Sequence, residues 1–129
     1  KIRFGFSHEK RKLEISKELL SLLLPELLIS HFDISEFKPE NKVVHIHFVE
    51  KKEVPEEVKD QELIGHGFYP EITIRDFPLR GKSVFLHIKR RRWKDKSTGQ
   101  IVKRDWELVA KGSRMTVEFA AFLKAISIY

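Results

Sequence analysis

The stretch SVFLHIKRRRW, residues 83–93, decides the expected fold of this chain. Apolar residues occupy every second position from Val84 to Ile88, which predicts a β-strand with one apolar face. From Lys89 to Arg92 both faces of the strand are cationic. Since consecutive charged strand residues cannot all face a core, this end of the strand is predicted to project from the body into solvent.

The sequence on either side of this strand predicts an antiparallel meander. The predicted elements are a strand over 71–77, a turn over 78–82 with Gly81, the strand over 83–93, a polar turn over 94–100 with Gly99, and a returning strand over 101–110. Glycine-containing turns between alternating strands are typical of hairpins, so each strand is expected to pair with the next.

The N-terminal part of the chain predicts a helix. Residues 9–31 carry leucines at three- and four-residue spacings, with Glu and Lys between them. Pro25 interrupts this pattern and is expected to begin a second short helix, because proline is tolerated in a first turn but not in an interior. The leucine stripe is predicted to belong to the core, with a homodimer seam as the alternative.

A further strand is predicted over residues 41–49, after a short strand or turn over 32–37. One of its faces carries His45 and His47, and the other is apolar. Two imidazoles on one side raise a metal site as an alternative, but the sequence places no third ligand beside them, and two imidazoles seldom hold zinc alone. They are interpreted as histidines on a half-exposed face, and no metal or other cofactor is predicted.

A charged stretch over 50–60, containing Pro55, is the best candidate for an internal boundary. It divides the chain into residues 1–60, a helical segment with a strand and a linker, and residues 61–129, a basic region with a closing helix. Gly112 and Ser113 predict a stop and an N-cap, followed by a helix over 114–128. The expected class is α+β: an N-terminal helix, a mainly antiparallel sheet with a basic hairpin, and a C-terminal helix.

The composition indicates a folded cytoplasmic protein. The 129 residues are 41% hydrophobic and include ten Phe, which is enough for a core. The chain contains no Cys, which excludes disulfides, thiolate zinc sites and cysteine nucleophiles and fits a reducing compartment. The apolar run over 19–24 is interrupted by Ser21 and is too short for a membrane span. Residues 1–13 lack the apolar centre of a signal peptide, and no membrane partner is expected.

The positive charge is concentrated in one part of the chain. Residues 1–60 hold 11 Lys+Arg against 12 Asp+Glu, whereas residues 61–129 hold 14 against 7. Between Arg80 and Arg114 there are 12 basic and three acidic residues. A field concentrated in this way attracts a polyanion, and nucleic-acid phosphates are the commonest polyanion in a cytosol.

The basic hairpin is the predicted binding surface, because a two-stranded ribbon fits the major groove of DNA. Arginines pair with phosphates or guanine edges, lysines supply charge, and Trp93 is able to stack on a base. The predicted DNA-binding residues are Lys89, Arg90, Arg91, Arg92, Trp93, Lys94, Lys96, Lys103, Arg104 and Arg114. The cations also have a second interpretation: they lie on a solvated strand edge and prevent that edge from pairing with a strand of another molecule. For Trp106 the core is favoured.

No catalytic motif is present in the sequence. There is no Gly-rich phosphate loop, no His-Glu-x-x-His and no Gly-x-Ser-x-Gly. The carboxylates of the basic region, Asp76, Asp95, Asp105 and Glu107, lie close to basic residues in the sequence, which favours local pairing over a metal cluster. No catalytic residue is assigned, and the chain is expected not to be an enzyme by itself.

Three segments together resemble a known family: Gly65 to Tyr69, Ile72 to Lys82, and Val84 to Trp93. They resemble the start of insertion-sequence transposases of the ISL type, in which a zinc ribbon precedes a helix-turn-helix and a DDE catalytic domain. Residues 112–116 with Phe119 are similar to the entry of the helix-turn-helix. The Leu22-to-Glu26 segment is similar to an ISAon-like branch, in which this region is a reading frame separate from the catalytic chain.

The resemblance implies a DNA-binding region that recognises the ends of a mobile element and cooperates with a separate catalytic transposase chain during transposition, a form of DNA recombination. In the family one Cys pair precedes the His-Gly segment and a second follows the Arg-rich strand. Here these places hold Glu53 to Asp60 and Lys94 to Thr98, so the zinc does not carry over. A metal-free zinc-ribbon-like hairpin is expected, with apolar packing in place of about 10 kcal/mol of metal-binding energy.

Two other functions fit the residues. In the first, the leucine stripe and the apolar C-terminal helix bind a catalytic partner, and the chain is a protein-interaction subunit of a transposase complex. In the second, Trp93 and Tyr69 stack on unpaired bases of RNA.

Overall fold

A four-stranded mixed sheet forms the centre of the fold. The structure, a computed structural model, describes residue 19, residues 22–111 and residues 116–128. Its elements are α1 (Glu26–His31), β1 (Phe32–Pro39), β2 (Val43–Glu50), a 3-10 turn (Glu56–Val58), β3 (Leu63–Phe68), β4 (Ile72–Leu79), β5 (Lys82–Lys89), β6 (Arg91–Asp95), β7 (Ile101–Val102), α2 (Trp106–Val109) and α3 (Val117–Ile126). The predicted α+β class is confirmed.

The strand order of this first sheet is β1-β2-β5-β4. β1 pairs antiparallel with β2, and β4 pairs antiparallel with β5. β2 and β5 run parallel, with residues 43–49 opposite residues 83–89. This pairing joins strands from the two sides of position 60, so one sheet contains both halves of the chain.

One face of the first sheet forms the core. Val44, Ile46 and Phe48 alternate with half-buried residues along β2, as their sequence pattern predicted. Val84, Leu86 and Ile88 of β5 are fully buried beside them. The helices cover this face with the buried side chains Leu27, Leu28, Trp106, Phe122 and Ile126. Burial of such side chains stabilises the fold by roughly 1.5–3 kcal/mol each.

A second, smaller sheet has the order β3-β6-β7 and is antiparallel throughout. The predicted continuous strand over 83–93 is therefore wrong, because the chain leaves the first sheet at Lys89 and enters the second at Arg91. Arg90 lies at the junction, where its carbonyl accepts the N–H of Tyr69. The break occurs because the Arg90 side chain turns into the interior instead of outward.

The predicted returning strand over 101–110 is also wrong beyond its first two residues. β7 covers only Ile101–Val102, and α2 follows after three residues. Asp105 causes the change, because its carboxylate accepts the N–H groups of Glu107 and Leu108 and caps the helix. Trp106 is buried and its ring stacks on Phe32 at 5.2 Å, so the core interpretation of this tryptophan is confirmed.

The leucine stripe divides at Pro25. α1 begins directly after this proline, as predicted, and buries Leu27 and Leu28. Leu24 is buried as well, but Leu23 of the stripe is exposed, so the core prediction is wrong for this residue. Leu19 and Leu22, which lie beside the stripe, are exposed too. The remainder of the helix predicted over 9–31 lies outside the described residues.

The closing helix is shorter than predicted. α3 spans Val117–Ile126, and its N-cap is Thr116, whose hydroxyl accepts the N–H of Phe119. The predicted cap at Ser113 lies outside the described residues. Within the part of the chain that the structure describes, no helix combines the length and the apolar character needed to cross a bilayer.

Candidate functional site

Arg90, the first arginine of the basic run, is a structural residue. It is only 2% exposed, and its Nη1 donates a hydrogen bond to the carbonyl of Ile126 at 3.3 Å. Its guanidinium also lies 5.5 Å from the centre of the Tyr69 ring. A cation at the C-terminal end of α3 is stabilised by the free carbonyls of the last turn. Arg90 thus fixes the closing helix and is not at the surface.

Arg104 is buried too, in a small polar network around Glu50. Its Nε lies 3.4 Å from Oε2 of Glu50, and one of its terminal nitrogens donates to the carbonyl of Glu53 at 2.9 Å. Arg91 donates its backbone N–H to Glu50 Oε1 at 2.8 Å and its Nε to the Glu50 carbonyl at 2.9 Å. Burial raises the pKa of Glu50, against the opposing hydrogen bond from Arg91 and the charge of Arg104.

These contacts overturn the predicted projecting hairpin. Trp93 is 2% exposed, like Arg90, and no base can stack on it in this position. Arg104 is 7% exposed and faces Glu50. The structural prediction failed because two distant partners draw the basic segment inward. Glu50 holds Arg91 and Arg104, 41 and 54 positions away, and the Ile126 carbonyl holds Arg90. Of the ten predicted site residues, these three cannot contact a ligand from outside.

The other face of β6 stays open. Side chains of paired strand residues point to the same side, so Lys94 lies between Ile64 of β3 and Ile101 of β7, both exposed. Arg92, two residues earlier, shares this face and donates its Nε to the carbonyl of His66 at 3.3 Å. Lys96 continues the row beyond the strand end and is exposed. We call Arg92, Lys94 and Lys96 the β6 row.

Ion pairs do not neutralise the β6 row within the part of the chain that the structure describes. Among the described residues, none of its three side chains forms an ion pair with a carboxylate. Asp95, the acid within the row's own strand, points to the opposite, buried side, and its Oδ1 accepts the N–H of Ser97. Asp105 caps α2, and its charge also acts on the nearby Lys103, in line with the local pairing that the sequence suggested for this acid. The backbone N–H of Lys96 donates to the carbonyl of Glu62 at 2.9 Å, so Glu62 is an acidic residue next to the row.

The remaining predicted cations are spread around the row. Lys89 is exposed at the end of β5, and Arg91 is half-buried with its guanidinium 4.7 Å from the Phe68 ring. Lys103 is exposed as a residue. Partial desolvation of its ammonium group and the nearby charge of Arg90 lower the pKa of Lys103. Arg114 lies outside the described residues.

A separate cluster, which sequence reasoning missed, occupies the open face of the first sheet. The parallel register places His47 of β2 directly beside His87 of β5. His45 lies two residues before His47, on the same face of β2. Desolvation and the neighbouring His47 lower the pKa of His87. Glu71, just before β4, lies within 3.6 Å of both His47 and His87. The sequence indicated His45 and His47 as a pair on one strand face, but it held no signal for His87 and Glu71, which depend on the pairing of β2 with β5.

The comparisons with known proteins give no match. No protein-family model matches the chain. Neither the curated proteins nor the solved structures contain a significant match.

Proposed function

We propose that this chain is the DNA-binding N-terminal region of an insertion-sequence transposase, which recognises the ends of a mobile element together with a separate catalytic chain. The observation that carries the proposal is the β6 row. Arg92 and Lys94 are half-buried on one face of β6, Lys96 is exposed just beyond the strand end, and none of the three forms an ion pair with a carboxylate among the described residues.

The spacing of the row suits a phosphate backbone. Alternate residues of a strand lie about 6.6 Å apart, close to the spacing of neighbouring phosphates along one DNA strand. In this proposal Arg92 and Lys94 contact phosphates from the centre of the sheet, and Lys96 contacts a third from its edge.

The charge distribution supports the same function. The basic excess of the chain lies in residues 61–129, with 14 Lys+Arg against 7 Asp+Glu. Two of those acids, Asp95 and Asp105, accept backbone N–H groups of their own segments, and Asp95 is buried away from the β6 row. The buried Arg90 and Arg104 hold the second sheet against the body, and the metal-free ribbon is stabilised by this network.

The proposal assigns no chemistry to the chain. The resemblance places the DDE carboxylates in a separate catalytic chain, so this region supplies position and affinity only. Phosphate contacts would fix its orientation on the duplex, and sequence preference would require additional contacts to base edges.

The test measures binding of a mixed-sequence 20-base-pair duplex by fluorescence anisotropy at several salt concentrations. The site variant is Arg92→Ala/Lys94→Ala/Lys96→Ala. The control is Lys38→Ala/Lys42→Ala/Lys59→Ala, which removes the same charge from exposed residues elsewhere. Each lost phosphate contact lowers the log–log salt slope by about 0.9. The site variant should lose about 2–3 units of slope, and the control should keep its slope.

Equal losses in the two variants would show that net charge, not the β6 row, attracts the duplex, and would refute the proposal. Absence of wild-type binding would refute it as well. Preference for single-stranded RNA over duplex DNA in a competition assay would replace it with RNA binding. Selection from a random duplex pool then tests whether the chain recognises a defined element end.

A second function, docking on another protein, is favoured by the exposed leucines before α1. Leu22 is 80% exposed and Leu19 is 59% exposed, which is unusual for leucine at helical spacing. Sedimentation of the wild type and of Leu19→Asp/Leu22→Asp tests this function: a self-associated wild type and a monomeric variant support a homodimer at this surface. An unchanged monomer, together with no binding of the catalytic chain, would exclude it.

A further inference from the structure

Three histidines meet on the face of the first sheet that the helices leave uncovered. His45 and His47 occupy alternate positions on β2, and His87 comes from β5. The ring centres of His47 and His87 are 4.4 Å apart with their planes 15° from parallel. The carboxylates of Glu36 and Glu71 flank the group on its two sides.

The distances around Glu71 are those of a coordination polyhedron. Glu71 Oε1 lies 3.6 Å from Nδ1 of His47 and 3.5 Å from Nδ1 of His87. One ligand atom from each of His47, Glu71 and His87 lies within 4.8 Å of the others. In a tetrahedral zinc site with bonds of about 2.1 Å, the ligand atoms are separated by about 3.4 Å. Two edges of the triangle therefore already have nearly the length that a bound ion requires.

We propose that His47, Glu71 and His87 form a binding site for a divalent transition-metal ion of the Zn²⁺ type, with its fourth position open to solvent. Two imidazoles and one carboxylate are a donor set that zinc uses in three-ligand sites. Mg²⁺ and Ca²⁺ prefer oxygen-rich sites and are disfavoured by the two nitrogens. The proposal is independent of DNA binding and involves none of the residues of the β6 row.

The surrounding groups support the assignment because they contact Nε2 of each proposed histidine ligand, the nitrogen that would not bind the ion. If His87 binds through Nδ1, its Nε2 carries the proton and donates to Nδ1 of His45, 2.9 Å away. The Nε2 of His45 in turn faces Glu40 at 3.6 Å. On the other ring, Nε2 of His47 faces Glu36 at 3.9 Å. Such outer partners fix the tautomer of a metal-bound histidine and increase its basicity.

Thr73 contacts one of the proposed ligand atoms in the ion-free arrangement. Its hydroxyl lies 3.0 Å from Nδ1 of His87, the atom proposed to bind the ion. Rotation of this exposed side chain about one bond removes the hydroxyl from the nitrogen. The ion would then connect β2, β5 and the residue preceding β4, and would hold the parallel strand pair from its solvent side.

The test uses the untagged chain after treatment with a chelator, and titrates it with Zn²⁺ alone by calorimetry. One ion per chain is expected. Glu71→Gln and His87→Gln each remove a ligand and should weaken binding by more than about 100-fold, the upper range for loss of an outer partner. His45→Gln removes an outer partner only and should weaken binding by about 10–100-fold.

His66→Gln is the matched control, because His66 is an exposed histidine on β3, in the other sheet. It should bind Zn²⁺ as the wild type does. Replacing Zn²⁺ by Co²⁺ should give the absorption of a four-coordinate ion in the wild type and not in Glu71→Gln. Circular dichroism of the ion-free variants shows whether they are folded. The proposal is overturned if the folded wild type binds no Zn²⁺, or if the folded His87→Gln variant binds it with wild-type affinity.

Discussion

Glu50 and Arg104 form a buried ion pair, with Oε2 and Nε 3.4 Å apart and both residues less than 10% exposed. Glu50 is the last residue of β2, and Arg104 lies in the segment between β7 and α2. The same carboxylate accepts the N–H of Arg91, the first residue of β6. One acidic side chain therefore connects the end of β2 to the start of β6, the central strand of the second sheet, and to the segment that follows β7.

The first prediction concerns this pair. Arg104→Met should lower the free energy of unfolding at pH 7 by about 3–5 kcal/mol, because it leaves the carboxylate of Glu50 buried without its cation. The exposed pair of Lys59 and Glu56 supplies the control, and Lys59→Met should change stability by less than about 1 kcal/mol. Urea unfolding measures both. The double variant Glu50→Gln/Arg104→Met should recover most of the loss, and failure to recover it would contradict the assigned role of the pair.

The second prediction is the pH dependence of the Arg104→Met variant. Burial already raises the pKa of Glu50, and removal of Arg104 takes away one of the influences that lower it. A carboxyl whose folded pKa exceeds its unfolded value contributes stability below the unfolded pKa, and this contribution is lost as the pH rises through the folded pKa. The deficit of the variant relative to wild type should therefore grow from pH 4 to pH 7. A deficit that shrinks over this range in urea unfolding would contradict the prediction.

The third prediction separates the buried Arg90 from the half-buried Arg92 of the same run. Arg90→Met should destabilise the protein by about 1.5–3 kcal/mol, since it removes a charged donor from the Ile126 carbonyl. Its duplex affinity, measured on folded protein, should stay within a few-fold of wild type. Arg92→Met should show the reverse pattern, with little change in the free energy of unfolding and weaker binding. Equal losses of affinity in the two variants would mean that burial does not distinguish them.

The fourth prediction concerns the turn between β4 and β5. Arg80 and Gly81 both have positive φ, at 51° and 79°, as a two-residue hairpin turn of type I′ requires. Arg80→Asn should raise the free energy of unfolding, because asparagine tolerates this conformation better. Gly81→Ala should lower it by about 1–2 kcal/mol through backbone strain alone, since a Cβ there meets no atom within 4 Å. Thermal unfolding of the two variants in parallel checks both signs.

Sequence reasoning succeeded where local pattern decides the structure. The alternation of β2, the hairpin of β4 with β5, the glycine turn at residue 99 and the helix start after Pro25 all depend on near neighbours. The cap at Asp105 was also readable, since an aspartate before Trp106 with Glu107 in the first turn is a helix-start signal. It was missed because the expected meander required a strand there.

The candidate sites depended on contacts that no local pattern contains. The burial of Arg90 and Arg104 follows from Glu50 and from the end of α3, which are distant in the sequence. The histidine cluster follows from a parallel register that places His47 beside His87, 40 positions apart. A net charge shows that a polyanion is attracted, but only the fold decides which cations remain at the surface.

The most direct test of the account is to map the duplex on the isotope-labelled chain by NMR. The amide shifts that change on titration with the 20-base-pair duplex should centre on β6 and its two neighbours, around residues 64–66, 92–96 and 101. The open face of the first sheet, including His45 and His47, should stay unchanged. Shifts confined to that face or to α3, or an unchanged spectrum at low salt, would contradict the claim that the β6 row binds DNA.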